Sequence, residues 1–158
     1  MKFRKILIAV DNSVYSMQAA RTGLTLAHDL KAIAGVVCVV DRSKEMINAD
    51  LGITPEESKT ILLKEAENTI DQYIKMYDGI EKVFRFTPEG VPEEEILHLA
   101  REWQADLIVM GTHGRSGLSR MLTGSVAEYV IRNAEIPVLV MPWRMKQWVS
   151  QPEEQQRS

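Results

Sequence analysis

The sequence predicts an α/β layered fold in which five strands alternate with four helices, and three observations predict it. Short apolar runs rich in β-branched residues recur along the chain and are closed by glycine or polar residues. Between them lie longer stretches with apolar residues at helical spacing. These stretches open on helix-start signals, most plainly Thr54-Pro55-Glu56-Glu57 and Pro92. Such alternation implies a mostly parallel sheet with helices on both faces and right-handed crossovers, a three-layer sandwich of Rossmann-like type.

Residues 4–10 read as the first strand. Ser13 is placed to cap a helix that runs to about Leu30, with Met17, Ala20, Leu24 and Ala27 along one face. The second strand covers residues 33–40 and contains Cys38, whose apolar setting reads as that of a small buried hydrophobe. A polar connection over 42–53 leads to a helix from Pro55 to about Tyr77, opened by a capping box with proline at its first position. In the third strand, 81–87, Val83, Arg85 and Thr87 alternate with Phe84 and Phe86, which predicts a half-exposed strand near an edge. Pro92 opens a helix to Trp103, and Asp106-Leu107-Ile108-Val109-Met110 reads as a strand buried on both faces. Ser125-Val126-Ala127-Glu128 fits a second capping box, with Val126, Ala127, Val130, Ile131 and Ala134 as the buried stripe of the helix that follows. Pro137 opens a fifth strand, a position where its missing amide costs nothing.

The 158 residues are expected to form one domain over 1–142, with 143–158 a C-terminal extension that is partly disordered. Apolar residues at 45% and charged residues at 26% are ordinary for a globular chain. A net charge of −3 gives no electrostatic footprint for nucleic acid. A single cysteine cannot form an internal disulfide. The apolar run behind the basic N-terminus spans only Ile6 to Val10, too short for a signal peptide or membrane span, so the expected location is the cytoplasm.

The chemistry concentrates in Gly111-Thr112-His113-Gly114, nine further residues, then Gly124-Ser125. Glycines at 111, 114, 117 and 124 let backbone approach a ligand without Cβ clashes. Gly124 stands just before a helix N-terminus, where unpaired amides and the positive end of the macrodipole favour an anion. Spacing excludes a P-loop, because no Lys-Ser or Lys-Thr follows these glycines, and the G-x-G-x-x-G dinucleotide fingerprint is missing. For the glycines alone, a tight strand-to-helix turn is the competing reading.

The pattern G-x2-G-x9-G-[ST], together with Ile8-Ala9-Val10-Asp11-Asn12-Ser13, Val39-Val40-Asp41 and Pro137-Val138-Leu139-Val140, resembles the ATP-binding branch of the universal stress protein family over residues 3 to 142. The resemblance implies strand order 3-2-1-4-5, in the manner of adenine-nucleotide α-hydrolases. It places a ligand crevice where the winding reverses, between strands one and four, at Val10-Asp11 and Met110-Gly111. It further implies that Val39 presents backbone to an adenine edge, and that Ala9 and Val10 line the base pocket. Asp11 would sit near the ribose or a phosphate-bound Mg2+ (or Mn2+), while Gly111, His113, Gly114, Gly124, Ser125 and Val126 wrap ribose and phosphates, and Met110 and Arg115 count among the nucleotide-binding residues. A homodimer through strand 138–141 is implied as well, which would cover an otherwise bare edge.

Other candidates stay open at this level. Arg115 and Arg120 either neutralise phosphate or are solvated loop residues, and His113 has no triad partners. His28 and His98 lie in helices without spaced acidic or cysteine partners and read as structural. Asp41 either serves the site or caps a loop. Trp143 and Trp148 pack on their own subunit, across a dimer, or on a protein partner. The expected function is an ATP-binding, nucleotide-responsive dimeric stress or signalling module with little or slow hydrolysis. The alternatives are a genuine ATPase or nucleotide-transferring enzyme, and an AMP or adenylate-binding module.

Overall fold

A computed structural model of the chain describes residues 1–45, 49–77, 79, 82–112 and 124–142. His113, Gly114, Arg115, Gly117, Arg120 and the tryptophans at 143 and 148 lie outside the described residues. In chain order the elements are β1 (Lys5–Ala9), α1 (Ser16–Leu30), β2 (Ile33–Val37), α2 (Pro55–Lys75), β3 (Val83–Phe86), α3 (Pro92–Glu102), β4 (Leu107–Gly111), α4 (Ser125–Asn133) and β5 (Val138–Met141). Two 3-10 turns, Arg42–Lys44 and Ala49–Leu51, occupy the connection before α2. All strand pairings are parallel and the order is β3-β2-β1-β4-β5. The half-exposed β3 is an edge strand, as its alternation predicts.

The core has two layers, one on each face of the sheet. Ile6 and Ile8 of β1 pack with Ala20, Leu24 and Ile70 of α1 and α2, while Leu7 and Ala9 pack with Ile96, Leu97 and Val130 of α3 and α4. Ile6, Leu7 and Ile8 are fully buried, each burial worth roughly 1.5–3 kcal/mol, so β1 is the anchor of both layers. Because both its faces are apolar, a hydrophobic pattern cannot fix its position relative to α1. Gly23 does this. A Cβ there would stand 2.6 Å from Cγ1 of Ile8, so only glycine lets α1 lie directly on β1. That contact sets the start of α1 over the carboxyl end of the sheet.

Several local expectations need correction. α1 begins at Ser16 and not behind a Ser13 cap, because Ser13 is held by the Asp11 carboxylate, which accepts both its amide and its hydroxyl. Met17 is exposed, and Ser16, Ala19 and Gly23 share the buried face with Ala20, Leu24 and Ala27. In α4 the N-cap is Gly124 and no side-chain cap bond forms; Ser125 is the first helical residue, and Glu128 pairs with Arg132 at 2.8 Å. Ile131 is exposed, so the buried stripe of α4 is narrower than predicted. The Thr54–Glu57 capping box of α2 is present in both halves.

Candidate functional site

Beyond the carboxyl ends of β1, β2 and β4 lies a cleft of about 630 Å³. It sits where the winding of the sheet reverses, the place where open α/β sheets take ligands. Ala9, Val10, Asp11, Val39, Met110, Gly111, Gly124, Ser125 and Val126 all line it. Segments far apart in sequence thus meet at one opening.

The β1 side is built around Asp11. Its Oδ1 accepts the Ser13 amide at 2.8 Å, the Ser13 hydroxyl, and the Ser16 hydroxyl at 2.8 Å. The buried Ser16 oxygen also accepts the Asp11 amide at 2.8 Å, so residue 11 is held at both backbone and carboxylate. All three side-chain bonds fall on Oδ1. The Tyr73 hydroxyl reaches the carbonyls of Asp11 and Ser13 at 3.3 and 3.1 Å. Burial, with a smaller push from the Asp11 charge, raises the Tyr73 phenol to about 12.

The β2 side offers backbone. After Val37, the Cys38 amide donates to Phe86 and the Val40 amide to Pro88, both toward β3. Peptide groups alternate in direction along an extended segment, so the Val39 amide and carbonyl point the other way, past the last β1 bond from Val10 to Val37. Among the described residues neither takes part in a backbone bond. They border a space walled by apolar Ala9, Val37, Ile96 and Met110.

The β4 side offers a helix terminus. The Thr112 amide donates to Met141 at 3.0 Å and the Gly124 amide donates to the Thr112 carbonyl, which brings α4 against the end of β4. The first amides of α4 have no intrahelical acceptor. Val126 and Ala127 line the cleft beside them, so donors and the positive helix end meet the opening together.

Sequence reading missed the wall supplied by α2: Leu62, Glu65, Ala66 and Thr69 also line the cleft. The available signal was the spacing of four between polar residues 65, 69 and 73 on one helical face. Asp41 caps the turn Arg42–Lys44, accepting the Ser43 amide at 3.0 Å, so the loop-capping reading holds. Glu89, bridged to Val40, is joined to Arg42 and, at 2.9 Å, to Lys59; the Lys59 hydrogen bond above all holds its carboxyl below the usual range. His28 and His98 are exposed and lie beside Asp29 and Glu102 at 3.3 Å, so His98 has a spaced acidic partner one turn along α3, contrary to the sequence reading. Cys38 is buried at the cleft, as its setting predicts. Among the described residues no group of three potential metal ligands occurs, and no helix is long and apolar enough to cross a membrane.

Comparison with known proteins gives a consistent picture. The model of the universal stress protein family matches residues 2–142. The universal stress protein MJ0531 of Methanocaldococcus jannaschii is 38% identical over 145 residues, which cover 88% of this chain and 82% of that protein. The solved structure of protein MJ0577 from the same organism superposes with a TM-score of 0.77 at 28% identity, covering 92% of this chain and 99% of its own. A universal stress protein from Archaeoglobus fulgidus, solved in complex with dAMP, has a TM-score of 0.54 at 24% identity, covering 89% of this chain and 98% of its own, a likeness of fold.

Proposed function

The chain belongs to the universal stress protein family, and from that premise we propose that its cleft binds ATP and that occupancy sets the shape a dimeric module offers to its partners. The observation that carries this reading is the convergence at one cleft of the Val39 peptide edge, which makes no backbone bond among the described residues, a fixed carboxylate at Asp11 and the N-terminal end of α4. Each suits one part of the nucleotide. The Val39 amide and carbonyl can pair with an adenine edge between apolar walls. Asp11 faces the ribose or a phosphate-bound cation, and the α4 terminus with Ser125 supplies donors to phosphate oxygens. The dAMP carried by the Archaeoglobus fulgidus relative supports an adenine nucleotide in this fold.

The charges argue for a divalent cation. Asp11, Asp41, Glu65 and Glu93 line the cleft and, among the described residues, Lys44 is the basic side chain that joins them. A triphosphate entering beside these carboxylates is repelled unless its charge is offset. Mg2+ fits the donor set, because it keeps most of its waters and phosphate oxygens and needs one protein carboxylate, here Asp11. Mg2+ (or Mn2+) supplies the missing positive charge. The Asp11, Asp41 and Glu65 carboxylates each hold neighbouring residues of the chain, and hydrolysis is expected to be slow.

For the dimer, β5 is an uncharged edge strand, Val-Leu-Val-Met, with Leu139 exposed on it. A sedimentation run at micromolar concentration should return twice the chain mass, and a single-chain species would exclude that interface. For the ligand, the purified protein is denatured and the released nucleotide identified, before and after incubation. Intact ATP is the expected result. ADP formed over minutes would make the protein an ATPase, and AMP alone would make it an adenylate sensor.

A further inference from the structure

Helix α2 holds the Asp11 segment at three successive residues. The Tyr73 hydroxyl lies 3.3 Å from the Asp11 carbonyl and 3.1 Å from the Ser13 carbonyl, so its one proton is shared between the two ends of the segment. Between them, Asn12 donates to Oε1 of Glu65 at 2.9 Å. Glu65 and Tyr73 are two turns apart on one face of α2, and Thr69 between them returns its hydroxyl to the Glu65 carbonyl at 2.9 Å. None of these bonds uses the Asp11 carboxylate, which Ser13 and Ser16 hold. The division is clear: the helix fixes the backbone and the serines fix the charge.

We propose that Tyr73 is a positioning residue for the nucleotide: by tying both ends of the Asp11–Ser13 segment to α2, it sets where the Asp11 carboxylate meets the ligand. This rests on the nucleotide reading of the cleft. Tyr73 does not line the opening itself, so its effect must pass through Asp11. Its ring packs against the α1–α2 side of the core, and removal of the hydroxyl alone leaves that packing in place.

The test compares wild type and Tyr73→Phe in full-length protein. ATP affinity is measured by calorimetry with excess Mg2+, and backbone amide exchange is measured without ligand. The expected result is an affinity about fivefold weaker, the equivalent of one hydrogen bond, with exchange at residues 11–16 accelerated beyond any uniform change in the rest of the fold. An unchanged affinity overturns the proposal. So does weaker binding in which exchange at residues 11–16 quickens no more than the uniform change across α2 and the sheet that a loss of overall stability produces. If wild type itself binds no ATP, the nucleotide reading fails first and takes the proposal with it, an outcome visible before the variant is compared.

Discussion

The two ends of the sheet are built from the same strands and complete their backbones in opposite ways. At the amino end the Asp106 carboxylate accepts the amides of Arg4 and Lys5 at 2.8 and 2.9 Å, which joins β1 to β4. The Lys5 ammonium donates to the Trp103 carbonyl at 3.0 Å and lies 5.5 Å from the centre of its ring. A recess of about 410 Å³ at that end has an apolar floor of Leu97, Ala100 and Ile108, with Arg101 and Glu135 3.6 Å apart beside it. At the carboxyl end, among the described residues, the Val39 peptide groups and the first amides of α4 have no such side-chain partners, and the cleft is half as large again. The same residue type thus serves two ends: Asp106 is consumed by the amides of Arg4 and Lys5, whereas Asp11 is oriented at Oδ1 by serines. Side chains that satisfy the main chain make stability, and main-chain groups left over make recognition.

The sharpest way to break this contrast is Asp106→Ala. Two charge-assisted bonds are lost and the β1 amides are left to water, so unfolding free energy should fall by about 2–3 kcal/mol. ATP affinity should stay within about twofold. Urea unfolding and calorimetry on one preparation read both quantities. A large fall in affinity would mean that the two ends are mechanically coupled.

Asp11→Ala is the converse at the other end. At ligand concentrations 100 times the dissociation constant, wild type gains about 2.7 kcal/mol from bound nucleotide. A tenfold loss of affinity on removal of the carboxylate would halve that gain to about 1.4 kcal/mol. Thermal unfolding with and without Mg2+ and ATP measures the difference. A variant that keeps the full gain would remove Asp11 from the site.

How much of this was legible depended on the range of the signal. The alternating layout, the edge character of β3 and the capping box at Thr54 are local, and each appears as read. Strand order was not available from periodicity and came with the family resemblance. The start of α1 was misread because Ser13 sits where a cap belongs, while an acceptor two residues earlier, Asp11, takes its hydrogen bonds first. At Ser125 the serine and glutamate have the right spacing for a capping box, yet Arg132 one turn further on engages Glu128 and the cap falls to Gly124. The residues at 9–11, 39, 110–111 and 124–126 that line the cleft could be picked out because they lie in contiguous motifs. Tyr73 was not, since its partners are 60 and 62 residues away and nothing in a helical stripe announces a bond of that length.

The smallest effect is also the one most specific to the carboxyl end. Burial lifts the Tyr73 phenol from 10.0 to about 12, so between those values the folded protein keeps a proton that the unfolded chain has lost. The stability from this group is complete below pH 10 and declines as pH rises through about 12. Two pH units alone would amount to about 2.7 kcal/mol, but the ring is only half-buried and solvent screening reduces the expectation to about 1 kcal/mol. Other tyrosines and lysines titrate over the same range, so the informative quantity is the difference between wild type and Tyr73→Phe. Phenylalanine has no proton to lose: the variant should begin less stable at neutral pH and fall less steeply above pH 10, so that the two curves converge. Parallel curves would show that the hydroxyl is not the group whose ionisation releases the Asp11 segment, and the strut between α2 and the cleft would then have to be sought at Glu65 and Asn12 instead.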